Sequence, residues 1–270
     1  MAAAFVSIPC SFKPAQISPI LPRRLSRSNL TLSTTASDQS YFAAANADIS
    51  SHLLRSLPTT LHPCIKTPIH RLLSSPTPPT IAPSLCLAAS ELVGGDPNLA
   101  INAACALQLI HAVSHAHSAV ISHHPLTEFS LGTELMTGDA LLALGYEMVA
   151  RTPAGDAEAA TRLLTVLMEI SKTAAAVAAV EEEEREGKLA ACAAVCGVIL
   201  GGGNEEEVER ARRLGMFAGK KEVAMAEVEL GLGFEEVRAG AVARLLQEIL
   251  LCQQLSKEKG EMILGKDISF

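Results

Sequence analysis

Tryptophan is absent from the 270 residues, and aromatic side chains make up only 3% of them. Alanine is abundant, and leucine, glutamate and valine recur with it at helical spacing, so the composition points to an all-α chain. Positive charge is also short. Lysine and arginine number 22 against 29 acidic residues, a formal net charge of -7, which argues against a nucleic-acid partner that would need a basic face. No unbroken apolar run reaches about eighteen residues, so no membrane span is indicated. The seven cysteines, at 10, 64, 86, 105, 192, 196 and 252, are odd in number and widely spaced. That excludes the dense disulfide framework of a small secreted domain and favours free thiols or contacts to another chain.

The first 37 residues lack aspartate and glutamate altogether, carry Lys13, Arg23, Arg24 and Arg27, and are rich in serine, threonine and proline. That is the composition of an organellar transit peptide. A secretory signal would need an uninterrupted apolar core, and Pro9, Pro14 and Pro19 break every candidate. The expected division is a disordered transit peptide over 1–40 and an all-α domain over 41–270.

Apolar periodicity predicts helices over 41–57, around 65–73, over 84–93, 98–122 and 133–150, from 157 to about 185, over 189–200, from 205 to about 230, and from 234 to about 259. The proline-rich stretch 74–83 reads as a surface loop. The acidic run 181–186 is expected to close a helix on a solvated corner, and the run 205–209 to sit at a helix N-terminus, where the macrodipole favours it. Gly187 to Gly203 organises the rest. It is an uncharged helix of alanine, cysteine and leucine from Leu189 to Leu200, stopped by three glycines. Cys192 and Cys196 share one face of it, with almost no side-chain bulk, so another backbone can come close. They are not expected to bridge, because helix neighbours keep their β-carbons about 5–6 Å apart and a disulfide needs about 3.8 Å.

Four blocks carry a family resemblance: Leu85 to Gly95, Ala103 to His111, Gly138 to Leu142, and Leu189 to Gly203 with the Glu-rich helix after it. In that order and spacing the chain resembles trans-prenyltransferases of the plant geranylgeranyl diphosphate synthase type. The resemblance implies an isoprenyl diphosphate synthase-like helical bundle around a central cavity. Family enzymes carry an aspartate-rich segment after the block ending at His111, whose carboxylates hold magnesium against the substrate diphosphate. Here Ser118 and Ala119 stand where the two aspartates would be, and no acidic residue occurs from Pro97 to Thr127. The second aspartate-rich segment is replaced by Gly219 to Leu230, with only Glu222, Glu227 and Glu229, best read as a solvated helix face. The basic diphosphate-binding motif is replaced by Pro78 to Pro83.

Catalytically silent small subunits of this family pair with a catalytic large subunit and are marked by two Cys-x-x-x-Cys motifs. Cys192 to Cys196 matches the second in full, while Cys86 to Ser90 matches the first with serine in the last place. The implied partner interface is Cys86, Ala89, Ser90, Cys192, Val195 and Cys196, acting through close packing. The implied role is a non-catalytic subunit of a plastid geranylgeranyl diphosphate synthase, with no cofactor of its own and magnesium expected only in the catalytic partner. It would join a membrane only through a partner. The rivals are a subunit that directs ten-carbon output and an active enzyme with a non-standard metal site. His111, His115, His117, His123 and His124 read as residents of a degenerate active-site mouth, because position 112 is alanine where a zinc protease needs glutamate. Cys105 and Lys172 have no activating neighbour, and Asp139 reads as a helix N-terminal acid.

Overall fold

A computed structural model describes residues 40–58, 62–75, 77–124, 126–178, 180–234 and 238–251. The transit peptide expected over 1–40, Cys10 and Cys252 lie outside the described residues, apart from Ser40. Among those residues every regular element is a helix: α1 (Tyr41–Ser56), α2 (Pro63–Leu73), α3 (Ala82–Leu92), α4 (Pro97–Ile121), α5 (Leu131–Ala150), α6 (Ala157–Val177), α7 (Glu182–Leu200), α8 (Glu205–Gly219) and α9 (Val223–Gly233). Residues 240–251 are helical as well, and the remainder of the helix expected from 234 to 259 lies largely outside the described residues.

The helix starts follow capping chemistry. Ser40, Asp96, Ser130 and Asp156 each accept a backbone N–H of the first turn, and Asn204 with Glu207 forms a complete capping box at α8. Glu248, on the last helical stretch, takes the Tyr41 N–H at 2.7 Å and the Ser40 hydroxyl at 2.6 Å, tying that stretch to the start of α1.

Two expectations are corrected. The helix read from 157 to 185 stops at Val177, and the acidic run opens α7 instead of closing α6. Glu182, Glu183 and Glu184 thereby lie at the positive end of a helix dipole, where a longer α6 would have put them at its negative end. The helix read from 205 to 230 breaks at Lys221, whose φ of 62° is left-handed. The Glu222 N–H reaches back to the Phe217 carbonyl at 2.8 Å, a Schellman-type closure.

The hub is α7, which packs against α3, α4, α6 and α8, and every residue from Leu189 to Leu200 is buried. Small residues set its distances. A methyl group on Gly197 would overlap the Cys86 carbonyl oxygen and come within 2.9 Å of the Ala89 Cβ. One on Gly215 of α8 would overlap the Ala190 carbonyl. Helix α4 is long and apolar enough to cross a membrane by length and composition, but 72% of its most apolar window is buried inside the bundle, so it is accounted for as a core helix.

Candidate functional site

Two regions bear on function: the α3–α7 seam, which holds both cysteine motifs, and the junction of α4 with the start of α7. In the seam, Cys86, Ala89, Ser90, Val195 and Cys196 are fully buried and Cys192 is 2% exposed. The Cys192 and Cys196 sulfurs lie 3.8 Å apart as free thiols. Burial, with Cys192 next in weight, pushes the Cys86 thiol far up, and Cys105 is pushed up to about 12 by burial. Cys196 is held up by the hydrogen bond it shares with Cys192 and then by burial.

The resemblance puts these six residues at a partner interface. Instead, the small side chains of α3 and α7 admit each other. A close approach of the kind expected for this face is made within the chain, where the six lie buried between α3 and α7.

At the α4–α7 junction the first-motif positions of α4 meet Arg185. Its guanidinium donates to Ser118 Oγ at 3.1 Å and to the Val180 and Val177 carbonyls at 3.2 and 3.4 Å, and it pairs with Glu182 at 2.6 Å. It thus serves the unpaired Val177 carbonyl at the end of α6 and the Val180 carbonyl in the link to α7, which helps that helix to stop without glycine or proline. Around it, His111 Nε2 donates to the Pro78 carbonyl at 2.8 Å, and His111 Nδ1 lies 3.1 Å from Glu186. His115 Nε2 lies 3.4 Å from Glu182, and His117 Nε2 3.6 Å from Asp139. Burial, followed by the neighbouring His111, lowers the His115 pKa.

The donor set offered by Ser118, Ala119 and Arg185 is a hydroxyl, a methyl and a cation. Magnesium wants several anionic or carbonyl oxygens, so these residues do not fit it. Among the described residues, no group of three histidine, cysteine or acidic side chains is arranged to hold a metal ion. Near the second motif, Glu229 is occupied by Arg213 at 3.1 Å across α8 and α9, while Glu222 and Glu227 are exposed. A cavity of about 380 Å³ lies between α1, α2, the proline-rich loop and α4. Phe42, Leu53, Leu72, Pro78, Gln108 and Ala112 are among its walls, and no lysine or arginine lines it.

The other candidates separate cleanly. Cys105 is a core thiol that donates to the Ile49 carbonyl at 3.6 Å. Lys172 is exposed and paired with Glu169 at 3.2 Å. Asp139 lies in the middle of α5 over His117, not in its first turn. His123 and His124 are exposed beyond the end of α4. Sequence reasoning missed Arg185, and the available signal was a single cation inside the acidic run 181–186. It also missed the outward side of α5 and α6, where Met136, Leu164 and Met168 are 74%, 62% and 60% exposed.

No protein-family model matches the chain. It is 33% identical over 165 residues to the chloroplastic small subunit 1 of a heterodimeric geranylgeranyl pyrophosphate synthase from Cannabis sativa, a match covering 55% of this chain and 51% of that protein. The chain thus spans about half the length of the curated relatives it matches. Among solved structures, a mint deletion mutant of heterotetrameric geranyl pyrophosphate synthase superimposes with a TM-score of 0.59 at 30% identity, over 78% of this chain and 93% of that one. The geranyl diphosphate synthase small subunit of Antirrhinum majus gives 0.60 at 28% identity, over 78% and 92%.

Proposed function

The chain belongs to the isoprenyl diphosphate synthase family, on its small-subunit side, and from that premise we propose that it is a non-catalytic subunit of a plastid geranylgeranyl diphosphate synthase. The observation that carries this reading is the Arg185 guanidinium bonded to Ser118. The guanidinium occupies the Ser118 hydroxyl at the position where the resemblance puts magnesium-binding carboxylates, so a divalent cation finds no anionic oxygen of α4 there to bind. Leaving-group stabilisation must then come from another subunit.

The face offered to that subunit is the outward side of α5 and α6, two helices in contact. Met136, Ala140, Ala143, Leu164, Met168 and Ala175 are exposed on it. The neighbouring charges already have partners, Glu147 in Arg151, Glu158 in Arg162, Glu169 in Lys172 and in Arg212 of α8, and Asp139 in His117 of α4. A partner could cover this face without stranding an unpaired charge, and a charge-poor, methionine-bearing centre is what protein interfaces favour. Behind it, α6 leans on α7, and α7 on the α3 seam, so a docked partner bears on helices whose spacing is set by small residues. A small displacement of the partner's own cavity-wall helices would change the length of prenyl chain that fits.

The test is reconstitution. The isolated chain, given magnesium and five-carbon diphosphates, forms no product above a blank. Mixed with a plastid geranylgeranyl diphosphate synthase it forms a stable complex whose product length or rate differs from the synthase alone. Turnover by the isolated chain, or failure to form a complex, overturns the proposal. A second reading, direction of ten-carbon output, is favoured by the two solved neighbours, both from geranyl diphosphate synthases. Product analysis of the same complex separates the two.

A further inference from the structure

Four buried polar atoms cluster where α4 meets α7 and α5 without a well-directed hydrogen bond: His111 Nδ1, His115 Nε2, His117 Nε2 and Glu186 Oε1. Buried groups of this kind are nearly always satisfied, so several together ask for one explanation. His111 supplies it. Its Nε2 faces the Pro78 carbonyl at 2.8 Å, and a carbonyl only accepts, so that nitrogen carries hydrogen. Its Nδ1 lies 3.1 Å from a carboxylate oxygen of Glu186. On a neutral ring this would set a lone pair against a carboxylate, whereas one added proton turns the contact into a charge-assisted one. One turn further along α4, His115 lies 3.4 Å from Glu182, but that carboxylate already holds the Arg185 guanidinium at 2.6 Å and offers a proton on His115 less than Glu186 offers one on His111. The two rings lie edge to face with centroids 4.6 Å apart.

The groups around the pair come from every packed element. Glu182, Arg185 and Glu186 belong to α7. Ser114, Ser118 and His117 belong to α4, with His117 turned toward Asp139 of α5. The Pro78 carbonyl comes from the proline-rich loop, and of the two carbonyls on Arg185, that of Val177 comes from the end of α6 and that of Val180 from the link to α7. With both rings neutral, the two carboxylates Glu182 and Glu186 face one guanidinium, a local charge of -1. One proton on the pair brings this to zero, and a second makes it +1 and sets two cationic rings edge to face. We propose that His111, His115, Glu182 and Glu186 form a proton-operated latch between α4 and the first turns of α7, held by one shared proton and released by a second. The lowered proton affinity of His115, from burial and then from His111, agrees with resistance to the second proton.

Hydrogen exchange of the full chain, corrected for the intrinsic pH dependence, tests this between about pH 8 and pH 5. Residues 182–190 should lose protection by about tenfold per unit below about pH 6, while residues 205–219 of α8 hold theirs. In His115→Gln, which cannot take the second proton, the step should vanish. A flat wild-type profile, or a step that survives in His115→Gln, overturns the latch. If that variant does not fold, imidazole NMR titration of the wild-type chain decides. The His115 ring should take its proton only below the ordinary histidine range, and protonation of His115 within that range overturns the proposal.

Discussion

Arg185 and Ser118 meet at 3.1 Å across the α4–α7 junction, and Arg185 is a guanidinium with 9% of its side chain exposed. Much of the local architecture depends on it, because the same group closes the end of α6, pairs with the first turn of α7 and occupies the hydroxyl of α4. Arg185→Ala should destabilise the fold by about 2–4 kcal/mol, since it strands buried carbonyls and removes a partly buried ion pair. Arg185→Lys should recover only part of this, because an ammonium cannot fork to three acceptors on different elements. Urea denaturation measures both.

The same contact makes repair of the metal site difficult. Ser118→Asp combined with Ala119→Asp restores the acidic pair by composition, but the new carboxylate at position 118 would meet the Arg185 guanidinium first. Calorimetric titration of this double variant should show no magnesium binding beyond the wild type, and turnover should stay at the blank. Magnesium uptake by the double variant would mean that Arg185 swings clear.

Close packing in the α3–α7 seam predicts a steep dependence on size. Gly197→Ala should cost about 1–3 kcal/mol or more, because its methyl overlaps the Cys86 backbone and nothing flexible can yield. Cys192→Ser and Cys196→Ser should be far milder than leucine at either position, and in every case partner binding should fall only as far as stability does. Loss of binding in a fully stable serine variant would return these thiols to a direct role.

Of the five described cysteines, Cys64 alone is exposed. Mapped alkylation under native conditions should label Cys64 quickly. Cys86, Cys105, Cys192 and Cys196 should label only on unfolding, because all four are buried and closed to the reagent.

His115 gives stability a direction with pH. Its folded-state pKa is lowered, by burial first and His111 second, so the unfolded chain binds the proton more tightly than the folded one. Its contribution is fully present above the unfolded value of about 6.5 and is lost as pH falls through and below it. Denaturation midpoints should therefore drop between about pH 7 and pH 5, and His115→Gln should flatten that part of the curve.

Much of this was legible in the residues. The run of alanine, cysteine and glycine along α7 announced close helix contact, and the acidic run 205–209 marked the start of α8. What one-dimensional patterning could not supply was which helix fills a small-residue face. Cys86 and Cys192 look alike whether α3 covers α7 or another chain does. The break after Val177 was hidden for a related reason, since the group that serves it is Arg185, eight residues on, and neither glycine nor proline marks it. The left-handed Lys221 carries no local signature either, lysine being an ordinary helix former. The cross-helix pairs His111 with Glu186 and His115 with Glu182 needed the α4–α7 packing before they existed as pairs.

The outward side of α5 and α6 provides the sharpest test of the partner proposal. Leu164 and Met168 are 62% and 60% exposed and lie one turn apart on α6, so replacing either by glutamate touches little of the core and should leave folding within about 0.5 kcal/mol of wild type. In a complex that covers this face, the same glutamate would be buried without a counter-charge, and affinity for the synthase should fall by at least about tenfold for one substitution and further for both. Circular dichroism and thermal midpoints verify the fold, and titration against the purified synthase reads the affinity. A double glutamate variant that folds normally and binds as tightly as wild type would move the interface off these helices. A paired control at Leu232 of α9, 67% exposed on another face, distinguishes a specific contact from general loss of surface hydrophobicity: Leu232→Glu should bind as the wild type does.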